Sequence, residues 1–248
     1  MVKRLRKFWI MLDTSTGFYP HNIKKRFMYL KIRRLRNTME QRVVEVAYDN
    51  KIGHVGSCLT TVPILDHIYK HKGKDDIVVL SAGHAGIALY AALEKYEGKD
   101  ADALYKKHGV HPNRDIDNGI HVSTGSLGSG ITIAVGYALA DKKRNVHVII
   151  SDGECAEGSV WESLAYIRNA GLKNCKVHVN VNGYSAYDKV NMWYLWLRLK
   201  AFNWRTKIWF TKNPDFDFLK GLQAHYHVLS KEHKEVMINS YNNAKRVC

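Results

Sequence analysis

Between Met39 and Val181 the apolar positions of the chain switch repeatedly between two spacings. Met39, Val43, Val44, Val46 and Ala47 recur at helical intervals and predict an amphipathic helix that stops near Gly53. His54 to Ser57 then reads as a loop, followed by a helix over Thr61 to Tyr69 whose first turn holds Pro63. Ile77 to Ser81 is a short continuous apolar run ending in Ala82-Gly83-His84, with a helix behind it from Ala85 to Tyr96. Lys99 to Asn118 is polar and punctuated. Gly119 to Val122 leads into the glycine-rich segment Ser123 to Gly130, and a helix with small residues follows over Ile131 to Ala140. Strand Val146 to Ile150, helix Ser159 to Ala170 and strand Lys176 to Val181 continue the alternation. Beyond Tyr187 a helix over Trp193 to Ala201, a strand over Lys207 to Thr211 and a terminal helix over Glu232 to Asn243 complete the reading.

Short apolar strands separated by helical segments predict a mainly parallel sheet covered on both faces, a three-layer α/β/α domain. Ligands of such sheets sit at the carboxyl ends of the strands. Ala82-Gly83-His84, Asp152-Gly153 and Asn182-Gly183 all fall there. An acid at a strand end, followed by glycine, exposes a carboxylate where backbone approaches closely. If the strands carrying them are neighbours, Asp152 and Asn182 end side by side. A carboxylate, an amide oxygen and one backbone carbonyl are hard ligands suited to Mg²⁺ or Ca²⁺, completed by phosphate oxygens and water. Singly, Asp-Gly and Asn-Gly are common turn dipeptides. Paired across one strand-helix-strand unit, with a glycine-rich loop upstream, they favour a cofactor site.

Composition sharpens this picture mainly through where the charge lies. The formal net charge is +15, but residues 1–36 carry 11 Lys or Arg against one Asp, while the stretch 37–195 holds 17 bases against 18 acids. The basicity is therefore terminal, and the motifs lie in a nearly neutral middle. A basic extension over 1–36 suits contact with nucleic acid or an acidic surface; a solvated helix face or an arm docking on a partner chain is the plainer reading, and nucleic acid is set behind it. No run approaches the ~20 apolar residues of a membrane span, and the basic stretch Met1 to Lys7 lacks the long apolar core and small-residue cleavage site of a secretory signal. A cytoplasmic protein is expected. Cys58, Cys155, Cys175 and Cys248 form no close pair, so free thiols are expected too.

Asp152-Gly153, thirty residues, then Asn182 resembles the thiamine diphosphate signature. Gly53-His54-Val55-Gly56, Leu80 to Ala85, Ser123 to Gly130 and Asp152 to Glu162 resemble transketolases specifically, in the order found in that family. The likeness covers residues 40–187, with a fainter continuation at Leu199 to Trp204 and Ala224 to His227. It implies that residues 37–248 form the diphosphate-binding domain. Asp152 and Asn182 would then give side-chain oxygens to the metal and Tyr184 its carbonyl. Gly153 and His84 would contact the diphosphate, with Gly128 and Glu154 counted in the same cofactor-binding set. Gly125 and Leu127 would line the aminopyrimidine and thiazolium region. His54, His111 and His225 match positions that handle the donor sugar's oxygens, where groups titrating near neutrality are useful.

Glu157 matches an acid at the family's subunit contact. The acid that activates the cofactor comes, in the family, from a pyrimidine-binding domain, and residues 37–248 offer no match for that acid. The resemblance therefore implies the amino-terminal subunit of a split transketolase, paired with a second chain, assembling as a heterotetramer and moving ketol units between phosphosugars. A deoxyxylulose-phosphate synthase or 2-oxo acid dehydrogenase component and a basic binding protein reusing the fold are the alternatives. Ser151 replaces the usual glycine before Asp152, and Val181 precedes Asn182 where a polar or aromatic residue is usual. His67, His71, His108, His147, His178 and His233 are assigned structural or surface roles by default, with His121 and His227 undecided.

Overall fold

A computed structural model of the protein describes residues 38–185 and 188–247; the basic extension over 1–36 and Cys248 lie outside them. Four strands, β1 (Ile77–Leu80), β2 (Val146–Ser151), β3 (Cys175–Val181) and β4 (Lys207–Phe210), form one sheet in the order β1-β2-β3-β4, and every pairing is parallel. The register places Val79 beside Val148 and Ser151 beside Asn180. The ends of β2 and β3 are consequently adjacent, which puts Asp152 next to the start of the Asn182 turn.

Both faces of the sheet are covered. Helices α1 (Met39–Asp49), α2 (Val55–His71) and α3 (Gly86–Glu97) bury one apolar cluster with Val78, Leu80 and Ile149. Helix α4 (Ala101–His108) adds Ala101 and Leu104 to that side. On the other face α5 (Ser129–Ala140), α6 (Gly158–Asn169) and α7 (Met192–Phe202) pack on Val148, Ile150, Val177 and Val179. Helix α8 (Lys231–Val247) closes the chain, with Met237 buried in the first cluster. The arrangement is the expected three-layer α/β/α sandwich. Cys58, Cys155 and Cys175 are buried free thiols, and among the described residues no helix is long and apolar enough to cross a membrane.

One expectation is corrected, and one stretch that the sequence left unassigned is resolved. Helix α2 begins at Val55, not Thr61, so Pro63 lies inside it rather than in its first turn. The apolar spacing runs back through Leu59, Cys58 and Val55, each at most 4 % exposed, and this burial outweighs the local cost of a proline on the exposed side. The polar stretch 99–118 contains a helix, α4. Asp100 caps it by accepting from the N–H groups of Asp102 and Ala103, and its two buried residues are too few to print a period.

Candidate active site

The carboxyl ends of β1, β2 and β3 meet the start of α2 at a cleft of about 430 Å³. Its floor is built around Asp152, which is 3 % exposed. One carboxylate oxygen, Oδ2, accepts the N–H groups of Asn182 at 3.0 Å and Gly183 at 2.8 Å, and Oδ1 accepts that of Gly153 at 3.0 Å. These partners are backbone groups, not a cationic side chain. Burial accordingly pushes the Asp152 carboxyl up to about 6, against the three N–H groups, which lower it. Asn182 Oδ1 accepts the Tyr184 N–H at 3.0 Å, tightening the turn that Gly183 makes at φ 88°. Asn180, one pleat back, is anchored to Thr60 and Thr61 of α2 and to Thr211, which fixes this corner of the sheet against the helix.

Close approach of backbone shapes the adjoining wall. A Cβ at Gly83 would stand 2.7 Å from the backbone of Thr124 and Gly125, so the turn after β1 rests directly on the glycine-rich loop. Gly153 differs: a Cβ there would meet nothing closer than 3.5 Å. The protein's own packing leaves that space open beside the buried carboxylate.

Four histidines line the same cleft: His54, His84, His111 and His225. His54 takes the left-handed conformation, φ 61° and ψ 15°, at the head of α2, and its N–H donates to the His225 carbonyl at 2.7 Å. A non-glycine residue held there is strained, and such strain concentrates at functional sites. Ring centroids lie 4.2 Å apart for His54 and His225, and 5.8 Å for His54 and His84. Burial, then the neighbouring histidines, lowers both His54 and His84 to about 4, so both rings are neutral at pH 7.

Of the residues singled out from sequence, the cleft gathers His54, His84, His111 and His225, Gly125 and Leu127, Asp152 and Gly153, and Asn182 and Tyr184. Glu154 and Gly128 do not line it; they sit behind it, hydrogen-bonded to each other. Glu157 is exposed at the residue preceding α6. Sequence reasoning missed Ser57, Ser185, Asn213 and Tyr226, which also line the cleft. Asn213 Oδ1 is buried without a hydrogen-bond partner among the described residues. Its Asn-Pro dipeptide signals only a turn, whereas Tyr226 adjoins a motif that the sequence does mark.

The donor set suits a hard cation bound with an anion. Among the described residues no three His, Cys, Asp or Glu side chains converge on one metal position. A divalent ion here would instead use the Asp152 carboxylate, the Asn182 amide oxygen, a turn carbonyl and oxygens of its ligand, as Mg²⁺ commonly does beside phosphates. The amino end of α2, with Gly56 and Ser57 at the cleft, adds N–H donors for the anion.

The family profile described as transketolase, thiamine diphosphate binding domain, matches residues 33–224. The chain belongs to the transketolase family. It is 33 % identical over 143 residues to an apulose-4-phosphate transketolase subunit of Phocaeicola vulgatus, covering 50 % of each chain. It is 36 % identical over 135 residues to the 6-deoxy-6-sulfo-D-fructose transketolase subunit SqwG of Clostridium sp., covering 46 % of this chain and 49 % of that one. The transketolase of Campylobacter jejuni superposes with a TM-score of 0.68 at 21 % identity over 86 % of this chain and 42 % of that structure, a likeness of fold. This transketolase-family chain thus spans about half the length of the curated relatives it matches.

Proposed function

We propose that this chain is the diphosphate-binding subunit of a two-chain transketolase that uses thiamine diphosphate and Mg²⁺, or Ca²⁺ in its place, to move a two-carbon ketol unit from a ketose phosphate to an aldose phosphate. The observation that carries the reading is the convergence of Asp152, Asn182 and four histidines on one cleft in a chain of this family. Asp152 and Asn182 hold the metal through side-chain oxygens and Tyr184 through its carbonyl. Gly153 and His84 adjoin the diphosphate, and Gly125 and Leu127 face the rings.

When bound, thiamine diphosphate supplies the electron sink that lets a ketose carbon–carbon bond break. The chain's own residues position and deprotonate. His54, left neutral at pH 7 by its burial, offers a ring nitrogen as acceptor to a sugar hydroxyl, and His111 and His225 flank the same wall. Glu157 is exposed ahead of α6, which supports a role for it in contact with a partner chain. That partner carries the pyrimidine-binding domain and the acid that activates the cofactor, and two such pairs make a heterotetramer.

The test mixes the purified chain with its pyrimidine-domain partner and offers ketose phosphates and pyruvate as donors. Ketol transfer by the mixture, and none by either chain alone, is expected. Activity of the lone chain would remove the split-site reading, and a preference for pyruvate would move the protein to another thiamine diphosphate reaction. Asp152→Ala should abolish Mg²⁺-dependent cofactor retention and Asp141→Ala should leave it intact; equal retention by both would refute the metal assignment.

A further inference from the structure

One carboxylate lies beneath the cleft and outside its lining. Glu154 follows Gly153 in the turn after β2 and is wholly buried, at 0 % exposure. Its Oε1 accepts the Ser81 hydroxyl at 2.6 Å and the Gly128 N–H at 3.0 Å. Its Oε2 accepts the Ser151 N–H at 3.0 Å, and the Glu154 N–H donates in return to Ser151 Oγ at 3.2 Å. No lysine, arginine or histidine is among these partners.

Each partner belongs to a different wall of the cleft. Ser81 follows β1 directly and stands three residues before His84. Gly128 closes the loop that carries Gly125 and Leu127, and it precedes α5 without any side chain to cap that helix. Ser151 adjoins Asp152. Burial raises the proton affinity of this carboxyl, and the Ser81 hydroxyl and the backbone N–H groups of Gly128 and Ser151 that its two oxygens face lower it. The amino end of α5, twelve residues long, favours the negative charge, and 2.6 Å is the length of a charge-assisted O–H···O⁻ bond. A side chain serving stability alone has no need to join three segments that each carry cleft residues.

We propose that Glu154 is a positioning residue: through Ser81, Gly128 and Ser151 it locks the His84 turn, the Gly125 to Leu127 loop and the Asp152 turn into one rigid floor. What that floor serves rests on the thiamine diphosphate reading; the lock itself does not. Glu154→Gln keeps the shape but replaces one acceptor oxygen with an NH₂ group. Turned toward Oε1 the amide still reaches the Ser81 hydroxyl but loses the Gly128 N–H; turned the other way it loses the Ser151 N–H.

The experiment is amide hydrogen exchange on the ligand-free full chain, comparing wild type, Glu154→Gln, Ser81→Ala and Asn174→Ala. Asn174 is a matched control: its Nδ2 donates to the carbonyls of Ala138, Asp141 and Arg144, a buried anchor at the far end of α5. Glu154→Gln should speed exchange about tenfold in segments 81–84 and 124–130 as well as in 151–155. Asn174→Ala, at a comparable loss of melting temperature, should leave all three unchanged. Ser81→Ala, a smaller change that decides the matter if Glu154→Gln does not fold, should speed 81–84 and 124–130 by roughly threefold. Acceleration confined to 151–155, equal acceleration in Asn174→Ala, or no effect of Ser81→Ala on either distant segment would overturn the lock. Adding thiamine diphosphate and Mg²⁺ to the wild-type complex with its partner is a separate arm. Absence of protection there counts against the cofactor reading and leaves the ligand-free result standing.

Discussion

Two groups of histidines in this domain share a depressed proton affinity and differ in everything else. In the sheet, Trp209 donates its indole N–H to His178 Nδ1 at 3.2 Å, His178 Nε2 meets His147 Nδ1 at 3.3 Å, and His147 Nε2 faces Asp76 at 3.5 Å. Since indole can only donate, the row has one consistent direction: His178 carries its proton on Nε2, and His147 carries its proton on the nitrogen facing Asp76. In the cleft, His54, His84 and His225 touch one another through their rings, and no hydrogen bond to their ring nitrogens occurs among the described residues. Burial lowers His178 to about 3 and His54 and His84 to about 4. A depressed value alone therefore does not mark a catalytic histidine. What separates the groups is whether the nitrogens are already satisfied: the sheet pair is committed to structure, and the cleft set is open to a ligand.

The largest test of that contrast exchanges a cleft ring for a side chain that keeps the backbone. Asn tolerates the left-handed conformation held at position 54, so His54→Asn removes the imidazole with little strain. Under the proposed function, ketol transfer by the chain with its partner should fall about 10²- to 10⁴-fold, with stability changed by roughly 0.5 kcal/mol or less. A lowered melting temperature with unchanged rate would put His54 among the structural histidines. The reciprocal variant, His178→Ala, should lose about 3 kcal/mol, from the cavity and from a Trp209 N–H left without its acceptor. Its cofactor retention in the folded protein should match wild type, and a selective loss of retention would dissolve the distinction.

Much of this contrast was legible beforehand, and the illegible part has a common cause. Apolar runs that stop at Asp152-Gly153 and at Asn182-Gly183 announce strand ends, because a parallel strand must be buried along its length and its exit must turn. Default structural roles for His147 and His178 agree with their satisfied nitrogens. Contacts between distant segments left no local trace. Glu154 meets Gly128 from 26 residues away and Ser81 from 73, and nothing near any of them signals the meeting. That His54 and His225 meet from opposite ends of the domain was carried only by the family resemblance, and no local pattern marked the left-handed turn at His54. The start of α2 was hidden by Pro63, whose local preference yields to burial of Val55, Cys58 and Leu59.

Acidity probes the sheet pair on a smaller scale. His178 stays neutral in the folded state down to about 3, while the unfolded chain takes up its proton below about 6.5. The unfolded state thus binds more protons between those values, and the stability owed to neutral His178, complete above 6.5, is lost as pH falls toward 3. Asp152 works in the opposite sense, since its raised value makes the folded state the better proton binder between 3.8 and about 6. The useful quantity is therefore the difference between wild type and His178→Gln in denaturant unfolding. It should shrink by about 1 kcal/mol for each pH unit between 6 and 4, and a difference independent of pH would show that His178 is not held neutral by the fold.

The smallest expected effect isolates the donor that sets the row's direction. Trp209→Phe retains most of the aromatic surface against His67 and His178 but deletes the indole N–H. His178 Nδ1 then becomes a buried acceptor without a donor, at a cost of about 1 kcal/mol. The sharper readout is the imidazole nitrogen spectrum. Wild type should show His178 protonated solely on Nε2, whereas the variant should show a mixture, because the indole is the donor that keeps a proton off Nδ1. A single unchanged tautomer in Trp209→Phe would mean that His147 alone sets the direction through its nitrogen facing Asp76. The sheet pair would then be ordered from its acidic end, and the indole would contribute packing only.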